Sequence, residues 1–310
     1  MRVDGERQAR RVTPGRGMRI YLTGADGMLG RALTAVLRDD PRTSGWTVRG
    51  VSLPDFDIAD AEALDKSVDD FRPDVVVHTA ANAVVDDCES DPAAALRVNT
   101  RGTRNVAEAC RRTGSRLVYI SSDYVFDGED PPRGGYREPD LPNPLSVYGI
   151  TKLAGERISL LVPGSLSVRT SWLFGGTDPR LDNVLAMGRA AARGDRPRLI
   201  DDQFSAPTYT ADLAEALVFL LTRERPVEGV VHVANRGSAS WYEVGRELAA
   251  IARDSGRTWP EPERVSMDAC GFRGGRPRDS TLNTDLLAGL GHTMPTWQDA
   301  LRRFFEEALT

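Results

Sequence analysis

Thr23-Gly24-Ala25-Asp26-Gly27-Met28-Leu29-Gly30 is the stretch from which the fold is read. Before it lies a short apolar run, Arg19–Thr23, with the character of a strand. After it comes Met28–Arg38, where Met28, Leu29, Ala32, Leu33, Val36 and Leu37 fall on one helical face. Glycines at such a junction let the backbone turn tightly and approach a diphosphate, whose charge a helix N-terminus favours. Gly24, Gly27 and Gly30, with Asp26, Met28 and Leu29 between them, are therefore candidate dinucleotide-binding residues. Alone, the spacing is also that of an ordinary turn. Its place at the first strand-to-helix turn of an alternating chain gives it weight.

The alternation continues. Trp46–Val51 reads as a second strand, Ala61–Phe71 as a second helix and Asp74–Ala80 as a buried third strand. Asp91–Arg112 reads as helix with Pro92 in its first turn, followed by a strand at Arg116–Ser121. A Pro/Gly-rich loop, Gly128 to Pro144, leads to a helix around Tyr148, and Ser165–Thr170 reads as another strand. Strand and helix in turn predict an α/β fold, a Rossmann-like, doubly wound parallel sheet over residues 18–171. Beyond Trp172 the pattern loosens. Helices are expected at Asn183–Arg193, Thr210–Thr222, Trp241–Ala252 and Thr296–Leu309, with a strand at Gly229–Val233. Residues 172–310 are read as a smaller substrate-binding lobe with some segments returning to the sheet. Residues 1–17, polar and arginine-rich, are expected to be a disordered basic extension.

Lys66 and Lys152 are the only lysines among 40 basic residues, and Lys152 stands four positions after Tyr148. On a helix those two side chains share a face. A compact ammonium can hold a nicotinamide ribose and lower the pKa of a nearby phenol, which planar guanidinium does less well. Two solvated side chains would show the same spacing. Ser122 directly follows the strand at Arg116–Ser121, on the sheet edge where open α/β folds bind ligands, and could hold a substrate carbonyl there, though alone it would read as a loop-start hydroxyl. An acid near the end of the second strand would select NAD. Val48-Arg49-Gly50-Val51-Ser52 has none and one arginine, which points to NADPH with NADH left open. Asp57 and Ile58 follow, where the acid could bond the adenine amine or cap the next helix.

Composition narrows the field. A net charge of −5, with 40% apolar and 27% charged residues, fits a soluble protein that binds neither nucleic acid nor an anionic membrane. No apolar run reaches the ~20 residues of a membrane span, and the cytoplasm is the expected compartment. Cys88, Cys110 and Cys270 are scattered, and His78, His232 and His292 lack ligand spacing, so no metal site is expected. His78 reads as a packed or pocket-lining residue.

With the glycine motif, the Ser/Tyr/Lys set and Asn99 in place, the chain resembles the extended short-chain dehydrogenase/reductases. Within them it is similar to the dTDP-4-dehydrorhamnose reductase group. The stretches that carry this are SSDYVFDG (121–128), NPLSVYGITKLAGE (143–156), RTSWLFGG (169–176), DQFSAPTY (202–209), SWYEV (240–244) and RPRDSTLNTDLL (276–287). The resemblance implies Tyr148 as proton donor, Lys152 as ribose anchor, and Ser122 where these reductases usually carry threonine. It places Ala80, Ala81 and Asn99 beside the cofactor. Asn82, Asp123, Tyr124, Trp172, Asn183 and Arg276 would lie beside a nucleotide-sugar substrate, with Arg276 facing its phosphates. The implied reaction is reduction of the C4 ketone of a nucleotide-linked 4-keto-6-deoxy sugar, most closely dTDP-4-dehydro-L-rhamnose to dTDP-L-rhamnose.

Two departures from the family pattern stand out. Asn82-Ala83 replaces a tyrosine–threonine pair, and Asp26 and Met28 replace asparagine and glutamine. The alternatives are a reductase of a related keto sugar and an epimerase or dehydratase, the latter lacking here a second acid after Asp123. A regulatory subunit like methionine adenosyltransferase beta is the third. A homodimer is left open.

Overall fold

The computed structural model describes residues 17–53 and 55–309. The expected basic extension, apart from Gly17, lies outside the described residues. The first half builds β1 (Arg19–Thr23), α1 (Met28–Asp39), β2 (Thr47–Val51), α2 (Ala61–Phe71), β3 (Val75–His78) and α3 (Val85–Ser90). The chain continues through α4 (Pro92–Ala95), a π-helical stretch at Leu96–Gly102, α5 (Thr103–Thr113), β4 (Arg116–Ser122), α6 (Val147–Ser159) and β5 (Leu166–Thr170).

The second half adds β6 (Leu173–Phe174), α7 (Asn183–Ala192), β7 (Arg198–Ile200), β8 (Phe204–Ser205) and β9 (Thr208–Tyr209). It ends with α8 (Thr210–Thr222), β10 (Gly229–His232), β11 (Ala239–Ser240), α9 (Trp241–Asp254), β12 (Glu263–Val265), α10 (Asp285–Gly289) and α11 (Trp297–Ala308). No described helix is long and apolar enough to cross a membrane.

Six parallel strands form the main sheet in the order β10-β5-β4-β3-β1-β2. The order reverses between β1 and β3, which opens a crevice at their carboxyl ends. Apolar residues cover both faces. Leu29, Leu33 and Leu37 of α1 pack with Leu213, Leu217 and Leu220 of α8 on one side. Leu64 and Val68 of α2 pack with Val106 and Ala109 of α5 on the other. Each fully buried Leu or Val contributes about 1.5–3 kcal/mol. A separate cluster, including Val184, Leu248, Trp297 and Phe305, forms the core of the smaller C-terminal lobe.

The single helix expected over Asp91–Arg112 is instead α4, a π-helical turn and α5, a widening often found at functional sites. The α3 helix and the two- and three-residue strands of the C-terminal lobe carry too few residues to show a period in sequence.

Candidate active site

The glycine loop is shaped by what its neighbours leave room for. Gly24 has φ +69°, and a Cβ there would lie 2.8 Å from the Ala80 nitrogen. A Cβ on Gly30 would lie 2.2 Å from the Gly24 carbonyl oxygen, so only glycine lets α1 sit this close to the loop. Gly27 is the N-cap of α1 and brings no side chain to its open N–H groups. The cradle therefore fits a diphosphate at the start of Met28 and Leu29.

Beside it, Ala25, Arg31, Arg38, Gly50, Ser52 and Asp55 line an open cleft of about 560 Å³. The Ser52 hydroxyl accepts from the Asp26 N–H at 3.1 Å, and Arg31 donates to the Asp26 carbonyl at 2.7 Å. Arg49, the basis of the NADPH expectation, is not in this cleft. It donates to Asp70 at 3.0 Å and lies over Phe71 on the opposite face, because alternate strand residues point to opposite sides. An acid does line this cleft, Asp55, whose carboxylate accepts from the Ser52 N–H at 2.9 Å. Asp57 does not cap α2, since Asp60 does so by accepting from the N–H groups of Glu62 and Ala63. The Asp57 carboxylate accepts from the Ala59 N–H at 2.9 Å and pairs with Arg97, while Ile58 is buried against Gly102.

Ser122 closes β4 in register with Thr170 of β5. Facing it, α6 starts from Ser146, whose hydroxyl accepts from the Gly149 N–H at 3.1 Å. A Cβ on Gly149 would lie 2.3 Å from the Tyr124 carbonyl oxygen, and one on Gly155 2.4 Å from the Tyr119 hydroxyl. These two glycines let α6 press against the sheet and bring Tyr148 and Lys152 to its carboxyl edge. Tyr148 meets Tyr124 edge to face at 5.7 Å. The Ser122 hydroxyl donates to Asp123 at 3.1 Å and accepts from the Tyr124 N–H at 3.2 Å.

Burial, not Lys152, dominates the Tyr148 phenol and pushes its pKa up, with the Ser122 hydroxyl opposing. The expected depression by Lys152 is thus not what this geometry gives. The ammonium donates to the Ile120 carbonyl at 2.6 Å and sits 4.5 Å over the Tyr119 ring. Burial also brings Lys152 down to about 7, against the attraction of Glu156.

Asn99 lies in the π-helical turn and is buried. Its amide accepts from the Asn82 N–H at 2.8 Å and donates to the Asn82 carbonyl and the Thr151 hydroxyl, both at 3.0 Å. The loop after β3, Ala80-Ala81-Asn82, is thereby tied to α6. The Asn82 side chain accepts from the Val84 N–H at 3.4 Å, within its own loop. His78 is a buried link, as a packed residue would be, between the hydroxyls of Thr23 (2.7 Å) and Thr103 (3.0 Å). Burial lowers its pKa to about 3, so it is neutral.

The C-terminal lobe reaches the same edge. Asp123 is buried and accepts from Ser205 at 2.9 Å and Ser280 at 2.6 Å as well as from Ser122. Burial raises its carboxyl to about 6 in spite of those hydroxyls. Both of its oxygens are thus engaged by serines, Ser122 on one and Ser205 and Ser280 on the other. Arg276 is nearly buried, donating to Asp86 at 3.0 Å and to the Gly274 carbonyl at 2.8 Å, 3.6 Å over Phe272. It is no free surface charge. Trp172 follows β5 in a left-handed conformation, φ +40°, and stacks on Trp241.

Asn183 is exposed at the first position of α7. Its neighbour Asp182 accepts from the N–H groups of Gly175 and Gly176, and a Cβ on Gly176 would meet Met28 at 3.1 Å. Ser205, Ser280, Asp86 and Trp241 were not anticipated. Three of them lie in stretches that carried the family resemblance, but their pairing across the chain leaves no local signal. Among the described residues no cluster suited to a metal ion occurs.

Comparison with known proteins agrees with this geometry. Residues 18–310 match the family model described as the RmlD substrate binding domain. The chain is 38% identical over 297 residues to the dTDP-4-dehydrorhamnose reductase of Streptomyces griseus, covering 93% of each. It is 36% identical to the dTDP-4-keto-6-deoxy-D-glucose reductase of Streptomyces niveus, covering 93% of this chain and 96% of that one. The solved dTDP-4-dehydrorhamnose reductase of Bacillus anthracis, in complex with NADP, superposes with a TM-score of 0.85 at 33% identity, covering 94% of this chain and 99% of that one. A glycine cradle, a Ser/Tyr/Lys edge and these relatives converge, and the chain belongs to the dTDP-4-dehydrorhamnose reductase family of the extended short-chain dehydrogenase/reductases.

Proposed function

We propose that this chain is an NADPH-dependent reductase of the C4 ketone of a dTDP-linked 4-keto-6-deoxy sugar, with dTDP-4-dehydro-L-rhamnose as substrate and dTDP-L-rhamnose as product. The observation that carries the reading is the meeting of Ser122, Tyr148 and Lys152 at one sheet edge, beside a glycine cradle that no side chain fills. Residues 18–171 serve as the nucleotide-binding part and 172–310 mainly as the substrate lobe. The nicotinamide, when bound, supplies the hydride. Tyr148 gives its phenolic proton to the ketone oxygen, and a phenol kept protonated by burial is suited to that task. Ser122, steadied between Asp123 and the Tyr124 N–H, orients the ketone. Lys152 anchors the ribose, and Arg276 faces the sugar-nucleotide phosphates.

Arg31 and Arg38 support NADPH, since both line the cleft beside Ser52 where a ribose 2′-phosphate would meet positive charge. Asp55 in the same cleft favours the unphosphorylated ribose, so NADH remains a weaker second cofactor. Asn82-Ala83 and the likeness to the Streptomyces niveus reductase favour one further reading, a closely related dTDP-keto sugar. The test is to mix the protein with dTDP-4-keto-6-deoxyglucose, a 3,5-epimerase and either NADPH or NADH. One reduced cofactor consumed per sugar, faster with NADPH, is expected. An epimerase recycling bound NAD would leave added NADPH untouched and overturn the reading.

A further inference from the structure

Trp172 is one of two non-glycine residues with positive φ among the described residues, and it sits beside the candidate site. It follows Thr170, the register partner of Ser122, by two positions. L-residues other than glycine, asparagine and aspartate seldom hold this conformation unless their surroundings impose it. Two contacts do so here. The Trp172 carbonyl accepts from the Thr208 N–H at 3.1 Å. Its indole lies flat on that of Trp241, with centroids 4.0 Å apart and planes 5° from parallel.

The two partners differ in rigidity. Trp241 opens α9, where Ser240 and Glu243 form a reciprocal capping box, and it packs against the core of the C-terminal lobe. Trp172 stands on a connection between short strands and is outside that core cluster. Position therefore passes from Trp241 to Trp172. Covered on one side by its partner and only partly buried, the flat apolar Trp172 indole stands two positions beyond the strand end that pairs with Ser122. A 6-deoxy sugar has the matching feature, a face bearing a methyl group in place of a hydroxymethyl.

We infer that Trp241 is a positioning residue for sugar recognition, holding the Trp172 indole as an apolar wall against the methyl-bearing face of the 6-deoxy sugar. This rests on the keto-sugar reading given above. Its consequence is that Trp241 matters for the sugar and not for the nucleotide to which the sugar is linked.

Titration of the wild-type chain, Trp241→Leu and Trp241→Phe with dTDP-L-rhamnose and with dTDP tests it, together with circular dichroism of the indole bands. The wild type should show the exciton couplet of two stacked indoles, and Trp241→Leu should lack it. In Trp241→Leu the Kd for dTDP-L-rhamnose should rise about tenfold while that for dTDP stays within about twofold. Trp241→Phe, which keeps a ring, should recover most of the loss. Unchanged binding of dTDP-L-rhamnose, an equal loss for dTDP, or no couplet in the wild type would each overturn the assignment. A wild type that oxidises no NADPH with keto sugar, yet shows the sugar-selective loss, would sink the reductase reading and leave the wall standing.

Discussion

At the scale of single residues, the proposed catalytic pair Tyr148 and Lys152 was legible because rarity and spacing marked it. A lysine four positions after a tyrosine in an arginine-rich chain needs no partner elsewhere to be noticed. The electrostatics could not be read the same way, since they depend on what surrounds each group. Lys152 is buried between α6 and the sheet, and its pKa falls to about 7 from the usual value of 10.5. Below pH 7 it is an ammonium, and above it a neutral amine. Between about 7 and 10.5 the unfolded chain holds a proton that the native chain lacks, so this group makes stability rise with pH across that window. Cofactor binding should run the other way, because an anionic dinucleotide prefers the charged form. The Kd for NADPH, followed by fluorescence from pH 6 to 8.5, should weaken by up to about tenfold per unit above 7. A flat profile, or the same slope in Lys152→Met, would contradict this.

At the scale of elements, the sequence showed the six strands of the main sheet and most of the longer helices but not how α6 is held on the sheet. That task falls to a buried ion pair. Arg169 of β5 donates to both oxygens of Glu156 on α6, at 2.9 and 2.7 Å, with each side chain essentially unexposed. The same guanidinium reaches the Glu138 carbonyl and meets the neutral ring of His232 on β10, both at 3.3 Å. Such a pair adds little net stability over apolar residues, yet removing one member strands a buried charge. Arg169→Met is expected to lose about 3–5 kcal/mol of unfolding free energy in urea. A loss under about 1 kcal/mol would show that α6 is held by apolar packing alone. Neither partner stood out in sequence, because a lone arginine in a strand and a glutamate in a helix are common, and only the fold brings them together.

At the scale of the whole molecule, alternating strand and helix was enough to foresee a doubly wound sheet, and β10 does return to its edge from the C-terminal half. What escaped was convergence. Ser205 and Ser280 lie 82 and 157 residues from Asp123, yet both donate to it and so couple the C-terminal lobe to Ser122. Asp86 and Arg276, 190 residues apart, fasten the same lobe to α3. Contacts at such separations leave no periodicity, and the residue on which the NADPH expectation rested was misplaced for a related reason. Arg49 was judged by its position along β2, whereas the pleat turned it away from the cleft.

The central claim is that Tyr148 protonates a ketone oxygen at this edge, and it is tested most directly by single-turnover reduction. Wild type and Tyr148→Phe, each loaded with NADPH, would be mixed with the 4-keto-6-deoxy sugar nucleotide and loss of reduced cofactor followed. The wild type should consume one equivalent. Tyr148→Phe should be slower by about 10²–10⁴-fold with an unchanged Kd for NADPH. Near-normal turnover in Tyr148→Phe would contradict the account.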